Sequence, residues 1–188
     1  MIKHLKKSDY RIMPWKNGLG STAQIDIFPE GVSFPGEDFL WRVSSAMIAS
    51  AAPFSRFDGC HRILVVWRGA GLRLNGQELK PHIPYFFAGE TPIDCELLDG
   101  EVIDLGVIYR RQQVEAEMVV GSLAAGDATQ LQFEKSSIYY LFCAEGRLVL
   151  NKNWTLEDGE TLQIQKCESG ELSTSTGGCY YLIKLQMK

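Results

Sequence analysis

Three short segments of the chain carry polar side chains inside otherwise apolar sequence, and their residue types suit the binding of an anion. The first, Trp15-Lys16-Asn17, places an aromatic ring, a cation and an amide before two glycines. The second carries Arg42 and Ser44, and the third ends in His61-Arg62. Guanidinium, ammonium and amide groups donate hydrogen bonds to carboxylates. Eight side chains are candidate ligand-binding residues: Trp15, Lys16, Asn17, Arg42, Ser44, Phe57, His61 and Arg62.

Arg42 and Ser44 alternate with large apolar residues, as expected for a half-buried strand. If Trp41 and Val43 pack against a second sheet, Arg42 and Ser44 face the interior. A guanidinium buried there requires an acidic partner. The alternative is that Arg42 lies in solvent.

His61 and Arg62 precede the apolar run Ile63 to Trp67 and so stand at the start of a strand. Neighbours in a strand point to opposite faces, so one of the two points inward. His61 is a candidate proton carrier, because an imidazole titrates near neutral pH. A satisfied structural histidine is the alternative. No other residue is a candidate catalytic group, and His61 is one only if the protein is an enzyme.

The histidines and cysteines do not form a metal-binding pattern. The three histidines, His4, His61 and His82, include no His-x-His pair, and the five cysteines include no C-x-x-C pair. The glycine-rich stretch 18–22 lacks the frame and the lysine of a phosphate-binding loop. We therefore expect no metal and no cofactor. The odd number of cysteines is typical of free thiols in a reducing compartment, so we expect a cytoplasmic protein.

The charge balance argues against nucleic acid and membrane partners. The 188 residues carry 19 Lys and Arg against 23 Asp and Glu, for a net charge of -4. No basic stripe is present to neutralise phosphates. No apolar run approaches the roughly 18 residues of a membrane span.

The elements that must position these residues are predicted to be strands. Period-two alternation or β-rich runs, separated by turn residues, favour an all-β fold. The run Ile63 to Trp67, a glycine turn and Leu72 to Leu74 are typical of a β-hairpin. Only Gln112 to Met118 is predicted to form a turn or two of helix.

An internal comparison indicates two tandem β units. At an offset of 77 residues, six apolar or glycine positions coincide, among them Leu64 with Leu141, Gly69 with Gly146 and Leu105 with Leu182. The seam falls near residues 111–118. This predicts an N-terminal domain of residues 1–112, which carries the polar segments, and a C-terminal domain of residues 113–188.

The polar segments at residues 15–22, 41–46 and 53–62, with a fourth at 104–111, resemble the HutD/Ves family in order and spacing. The resemblance implies a bicupin, which is two tandem cupin-like (RmlC-type) β-barrels, without the cupin metal ligands. It also implies a cytoplasmic bacterial protein linked to histidine utilisation as a modulator, with a pocket for a small carboxylate metabolite. The chain departs from the family pattern at Gln24, at His61 and at Leu105-Gly106. The first two changes make the site more basic, and the glycine removes an amide from the barrel wall.

These observations favour a non-catalytic protein that binds a small carboxylate metabolite in its N-terminal barrel. Arg42 is expected to pair with the carboxylate, Lys16 and Asn17 to add donors, and His61 or Arg62 to form the rim. Two alternatives stay open. One is a metal-independent enzyme that uses His61 as acid or base, and the other is a homodimeric interaction protein whose second barrel is the dimer surface.

Overall fold

The computed structural model describes residues 1–15, 20–36 and 38–188. They form strands and one 3₁₀ turn, Lys7–Asp9. None of the described residues belongs to a helix long and apolar enough to cross a membrane. The strands are, in chain order, β1 (Ile2–Leu5), β2 (Arg11–Pro14), β3 (Gly20–Phe28), β4 (Trp41–Ile48), β5 (Ala52–Pro53), β6 (Cys60–Arg68), β7 (Leu72–Leu74), β8 (Gln77–Leu79), β9 (Tyr85–Ala88), β10 (Asp94–Leu97), β11 (Val102–Arg110), β12 (Val114–Leu123), β13 (Ala128–Gln132), β14 (Ile138–Leu150), β15 (Trp154–Glu157), β16 (Thr161–Gln165), β17 (Ser169–Ser173) and β18 (Gly178–Met187). The all-β prediction is confirmed.

The chain divides into two compact units. We call Tyr10–Val114 the first unit, and Met1–Asp9 together with Glu115–Lys188 the second unit. The first nine residues therefore do not belong with residues 10–112, where the predicted N-terminal domain had placed them. The reason is strand pairing: β1 lies antiparallel to β16, with Ile2 opposite Ile164 and Leu5 opposite Thr161.

The first unit contains a six-stranded sheet, in the order β2-β3-β4-β11-β6-β9, and a four-stranded sheet, in the order β5-β10-β7-β8. Apolar residues of both sheets form one cluster, which includes Leu64 and Val66 from the larger sheet and Leu72 and Cys95 from the smaller. Every pairing of the larger sheet is antiparallel. The side chains of β4, β6 and β11 therefore form regular rows across it.

The second unit is built on an eight-stranded sheet in which β14 pairs with β15, β16, β17 and β18. Its interior is a cluster of large apolar side chains, including Leu141, Leu148, Leu162 and Leu172, all fully buried. The aromatic rings of Phe133 and Tyr139 belong to the same cluster. This interior is packed with side chains.

Two local predictions are wrong. Residues 114–123 form the strand β12 and not a helix, and β12 buries Val114 and Met118. An interval of four residues returns to the same face in a strand as well as in a helix, so this spacing does not separate the two. The predicted hairpin also fails, because β6 pairs with β11 and β9 whereas β7 pairs with β10 and β8. The turn at Gly69 and Gly71, both with positive φ, carries the chain from one sheet to the other.

Candidate functional site

The first unit contains a cavity of about 630 Å³ that is open to solvent on one side, and its volume is within the range of small-molecule sites. Its floor is one face of the six-stranded sheet, where alternate residues of β4, β11 and β6 point into the space. In the first row Arg42, Ile108 and Arg62 lie side by side. The second row consists of Ser44, Gly106 and Leu64, and the third row consists of Ala46, Asp104 and Val66.

The opposite face of the same strands carries Trp41 and Val43, which are 1% and 0% exposed. The predicted orientation of β4, with Arg42 and Ser44 facing inward, is therefore confirmed. Arg42 does not lie in solvent, since it is only 7% exposed. The alternation of the sequence placed both residues on one face of β4, and it left open whether that face points inward or to solvent.

The Arg42 guanidinium has a surplus donor inside the cavity. Its Nε donates to Oε1 of Gln24 at 3.1 Å, and its Cζ lies 4.3 Å from the ring centroid of Phe34. Its Nη2 is buried and has no hydrogen-bond partner among the described residues. Burial, followed by the positive charges of Arg62 and Arg11, lowers the pKa of Arg42 to about 10, which leaves it cationic at neutral pH.

The predicted acidic partner of Arg42 is not found among the described residues, where the neutral amide of Gln24 takes its place. A buried cation without a counter-ion is costly, because desolvation is not repaid by attraction to a nearby anion. An anionic ligand would supply both the missing charge and the acceptor for Nη2. The departure from the family pattern at Gln24 thus leaves the charge of Arg42 without a counter-ion among the described residues.

Arg62 is the second cation of the cavity, and aromatic rings surround it. Its Nη1 donates to the Ser55 carbonyl at 3.1 Å. Its Cζ lies 4.9 Å from the ring centroid of Phe87, 5.1 Å from Phe54 and 5.5 Å from Phe57. Burial lowers the pKa of Arg62 to about 10, and the charge of Asp104 opposes this shift. The contacts of Arg62 therefore stabilise the position of the segment 54–57, which forms one wall of the cavity. Its guanidinium also adds a positive charge to the cavity.

Asp104 is a cavity residue that was not among the candidates. It is 5% exposed, and its Oδ1 accepts a hydrogen bond from the backbone N–H of Ala46 at 3.0 Å. Burial raises the pKa of Asp104 to about 7, although the Ala46 hydrogen bond and the charge of Arg62 act in the opposite direction. The signal was present in the sequence, because Asp104 interrupts the apolar run of β11 at a position of the same parity as Ile108.

Two predicted wall residues are at the cavity. Trp15 and Phe57 both border it, and the Trp15 indole N–H donates to Oγ1 of Thr22 at 2.8 Å. Lys16 and Asn17, the predicted cation and amide of the first segment, lie outside the described residues. Their part in the site stays a prediction.

The structure does not bring His61 to the cavity. Its neighbour Arg62 faces inward, so strand alternation places His61 on the other face of β6. There it is exposed, and its ring meets that of Tyr109 edge-on, with centroids 5.8 Å apart. The expectations that His61 forms the rim, or acts there as an acid or base, are not supported by this position.

The other histidines are also apart from the cavity. His4 lies in β1 and its Nε2 is 3.1 Å from Oε2 of Glu160, in the second unit. Among the described residues, no group of three His, Cys, Asp or Glu side chains is placed to hold a metal ion.

The fold and the cavity define the class as an all-β protein of antiparallel sheets, one unit of which contains a cavity. The bacterial pirin YhhW of Escherichia coli, solved in complex with nickel(II), superposes with a TM-score of 0.72 over 98% of each chain at 11% identity. A likeness at this identity concerns the fold alone. It agrees with the antiparallel sheets described above.

Within this class the chain belongs to the HutD family, whose model matches residues 7–182. An uncharacterised 21.2 kDa protein in the hutC 3' region of Pseudomonas putida is 36% identical over 152 residues, which are 78% of this chain and 76% of that protein. Protein Ves of Citrobacter koseri is 36% identical over 60% of this chain and 61% of its own length. The structure of HutD from Pseudomonas fluorescens SBW25, determined in a formate condition, superposes with a TM-score of 0.81 at 26% identity, covering both chains fully. The resemblance in the polar segments is thereby confirmed at the level of the family.

Proposed function

We propose that the protein binds a small carboxylate metabolite in the cavity of the first unit and acts as a binding protein without catalysis. In this proposal the carboxylate lies against Arg42 and takes a hydrogen bond from Nη2. Ser44 offers a hydroxyl in the next row, and Trp15 and Phe57 form apolar walls.

The observation that carries the proposal is the buried Nη2 of Arg42, which has no hydrogen-bond partner in the part of the chain that the structure describes. Buried polar groups nearly always have partners, and an exception calls for a functional explanation. A carboxylate is the natural partner, because it accepts two parallel hydrogen bonds from a guanidinium. Arg62 supports the same choice, since two cations share the first row and Asp104 is the anion in the third.

The proposed role is the modulation of histidine or amino-acid catabolism, in the cytoplasm and without a metal. Support for the pathway comes from the relatives, one described from a hutC 3' region and another named HutD. All five cysteines are free thiols, in keeping with a reducing compartment. We further propose that the two units are tandem cupin-like barrels, of which the first carries the site.

Calorimetric titration tests the proposal with four carboxylates: formate, glutamate, formylglutamate and urocanate. We expect at least one of them to bind the wild-type protein. Arg42→Met keeps the apolar stem and removes the charge, and we expect it to weaken this binding by about tenfold to a hundredfold, the range for a hydrogen bond between ions.

Arg73→Met is the matched control. Arg73 is 41% exposed in the side chain and pairs with Glu78 and Glu96 on the four-stranded sheet, so its loss should leave binding unchanged. The proposal is overturned if no carboxylate binds the wild type, or if Arg42→Met binds as tightly as the wild type.

A further inference from the structure

The cavity floor is polar at two ends. Arg42 and Arg62 stand in the first row, and Asp104 stands in the third. The two rows are four residues apart along β11, which corresponds to about 13 Å between backbone positions. A ligand whose carboxylate lies at the arginines therefore extends toward Asp104 if it is more than a few atoms long.

Between the two ends the floor is open, because the central position is Gly106. A Cβ atom added there would meet nothing nearer than 3.9 Å, where the backbone oxygens of Ile63 and Ser44 lie. No positive φ requires a glycine at this position. The missing side chain leaves room for the middle of a ligand.

Asp104 offers an acceptor at the far end. Among the described residues, the hydrogen-bond donor to this carboxyl is the N–H of Ala46, which bonds Oδ1. Arg62 is close enough to act on Asp104 by its charge, but its own hydrogen bond goes to the Ser55 carbonyl. A ligand N–H can therefore bond the second oxygen, Oδ2.

The charges favour a neutral donor over a cation. With Asp104 ionised, the three charged residues of the floor, Arg42, Arg62 and Asp104, sum to one positive charge, and the exposed Arg56 also lines the cavity and adds another. An ammonium group at the Asp104 end would also meet the positive field of Arg62. An amide N–H gives the hydrogen bond without that repulsion.

We infer that the ligand is a carboxylic acid with a neutral N–H donor at its other end. Its carboxylate binds at Arg42, its body lies over Gly106, and its N–H donates to Asp104. The inference rests on the proposed function and names the chemical class of the ligand.

The test compares the monoamides of three dicarboxylic acids, called amide acids below, with the monomethyl esters of the same diacids. Succinamate, glutaramate and adipamate are titrated into the protein at pH 8.5, where Asp104 is ionised, each beside the monomethyl ester of the same diacid. The ester keeps the carboxylate, the carbon chain and the second carbonyl, but it carries OCH3, which is one heavy atom larger and has no N–H, in place of NH2. We expect the best-fitting amide acid to bind about tenfold more tightly than its ester, because a hydrogen bond to an ionised group is lost.

Asp104→Asn provides the second arm. The variant side chain has the same shape, but its Nδ2 donates where Oδ2 accepted, so we expect the preference for the amide to vanish or reverse. Asp94→Asn, at an exposed position of β10, is the matched control and should keep the wild-type preference.

Equal binding of amide and ester by the wild type overturns the inference and leaves the proposed function in place. A preference that survives Asp104→Asn overturns it as well. If none of these acids and esters binds while one of the four carboxylates named above does, the inference is overturned and the proposed function stands; failure of all of them to bind overturns the proposed function itself. The wild-type comparison stands even if Asp104→Asn does not fold.

Discussion

The two units share a pattern of strand pairing and differ in what occupies their interiors. In the first unit β6 pairs with β11, and Leu64 lies opposite Gly106. In the second unit β14 pairs with β18, and Leu141 lies opposite Leu182. Because Leu64 and Leu141 are equivalent in the repeat, Gly106 of the first unit corresponds to Leu182 of the second.

The neighbouring rows differ in the same way. Asp104 lies opposite Val66 in the first unit, whereas Tyr180 occupies the corresponding place opposite Cys143 in the second. The ring of Tyr180 fills this space so closely that a Cβ added at Gly121 would lie 2.3 Å from it.

Arg62 in the first row has Tyr139 as its counterpart, which belongs to the apolar cluster of the second unit. Three positions across two strands thus decide whether the interior is a charged cavity or a packed core. Burial of leucine and tyrosine stabilises the second unit, while the first leaves its charges available to a ligand.

Paired truncations should show the largest difference between the units. We expect Leu141→Ala to lower the free energy of unfolding by about 3 to 5 kcal/mol, because it leaves a void in a closed core. Leu64→Ala should cost less, about 2 kcal/mol, because Leu64 already borders a cavity. Urea denaturation of both variants measures this, and equal losses would contradict the contrast drawn between the two interiors.

Replacing Gly106 by leucine, the residue at the corresponding position of the second unit, should remove the ligand site of the first unit. We expect Gly106→Leu to place an apolar side chain over Leu64, to weaken carboxylate binding more than a hundredfold, or about 2.7 kcal/mol, and to raise the melting temperature. Calorimetry and thermal unfolding follow the two effects. Ala128→Leu, on an exposed position of β13, controls for the added leucine. Unchanged affinity would show that the ligand does not lie over Gly106.

The charge of Asp104 should make the first unit less stable at alkaline pH. Its pKa is about 7 in the folded protein against an ordinary value of 3.8, so the folded state keeps the proton longer than the unfolded state. The carboxyl therefore destabilises the fold increasingly as pH rises from about 4, and the full cost is present above pH 7. Between pH 5 and pH 8 we expect the stability of Asp104→Asn relative to wild type to rise by on the order of 2 kcal/mol.

Denaturation at both pH values measures this gain. The exposed Asp94→Asn variant should show no comparable change. A pH-independent difference between Asp104→Asn and wild type would refute the elevated pKa of Asp104.

The sequence predicted the class of the fold, and its alternation put Arg42 and Ser44 together on the face of β4 opposite Trp41 and Val43, although alternation did not settle which face points inward. It did not decide between His61 and Arg62, since that choice depends on the partners of β6. The repeat analysis matched Leu105 with Leu182, whereas the register matches Gly106 with Leu182. The offset is 77 between β6 and β14 but 76 between β11 and β18, on both sides of the equivalent β-bulges, so the chain that connects the paired strands is one residue shorter in the second unit.

Asp104 and Gln24 were harder to place from the sequence because their importance depends on other strands. Gln24 bears on the cavity only through its hydrogen bond with Arg42, eighteen positions later. Asp104 interrupts an apolar run in the sequence, but that it faces Arg62 and Arg42 across one floor follows only once β11 is known to lie between β4 and β6. Pairings over such distances are set by tertiary packing, which local periodicity does not report.

The pairing of β1 with β16 has a consequence for how the chain folds during synthesis. β1 leaves the ribosome before the other strands described above, yet its partner is about 160 residues away. At roughly 5 to 20 residues per second, β1 waits roughly 8 to 30 seconds for β16, long enough for Tyr10–Val114 to fold first. An unpaired strand in that interval is open to incorrect pairing. The amino-terminal segment therefore pairs late in folding. Removing it would leave β16 as an unpaired edge strand of the second unit, whose other strands are all synthesised after the first unit.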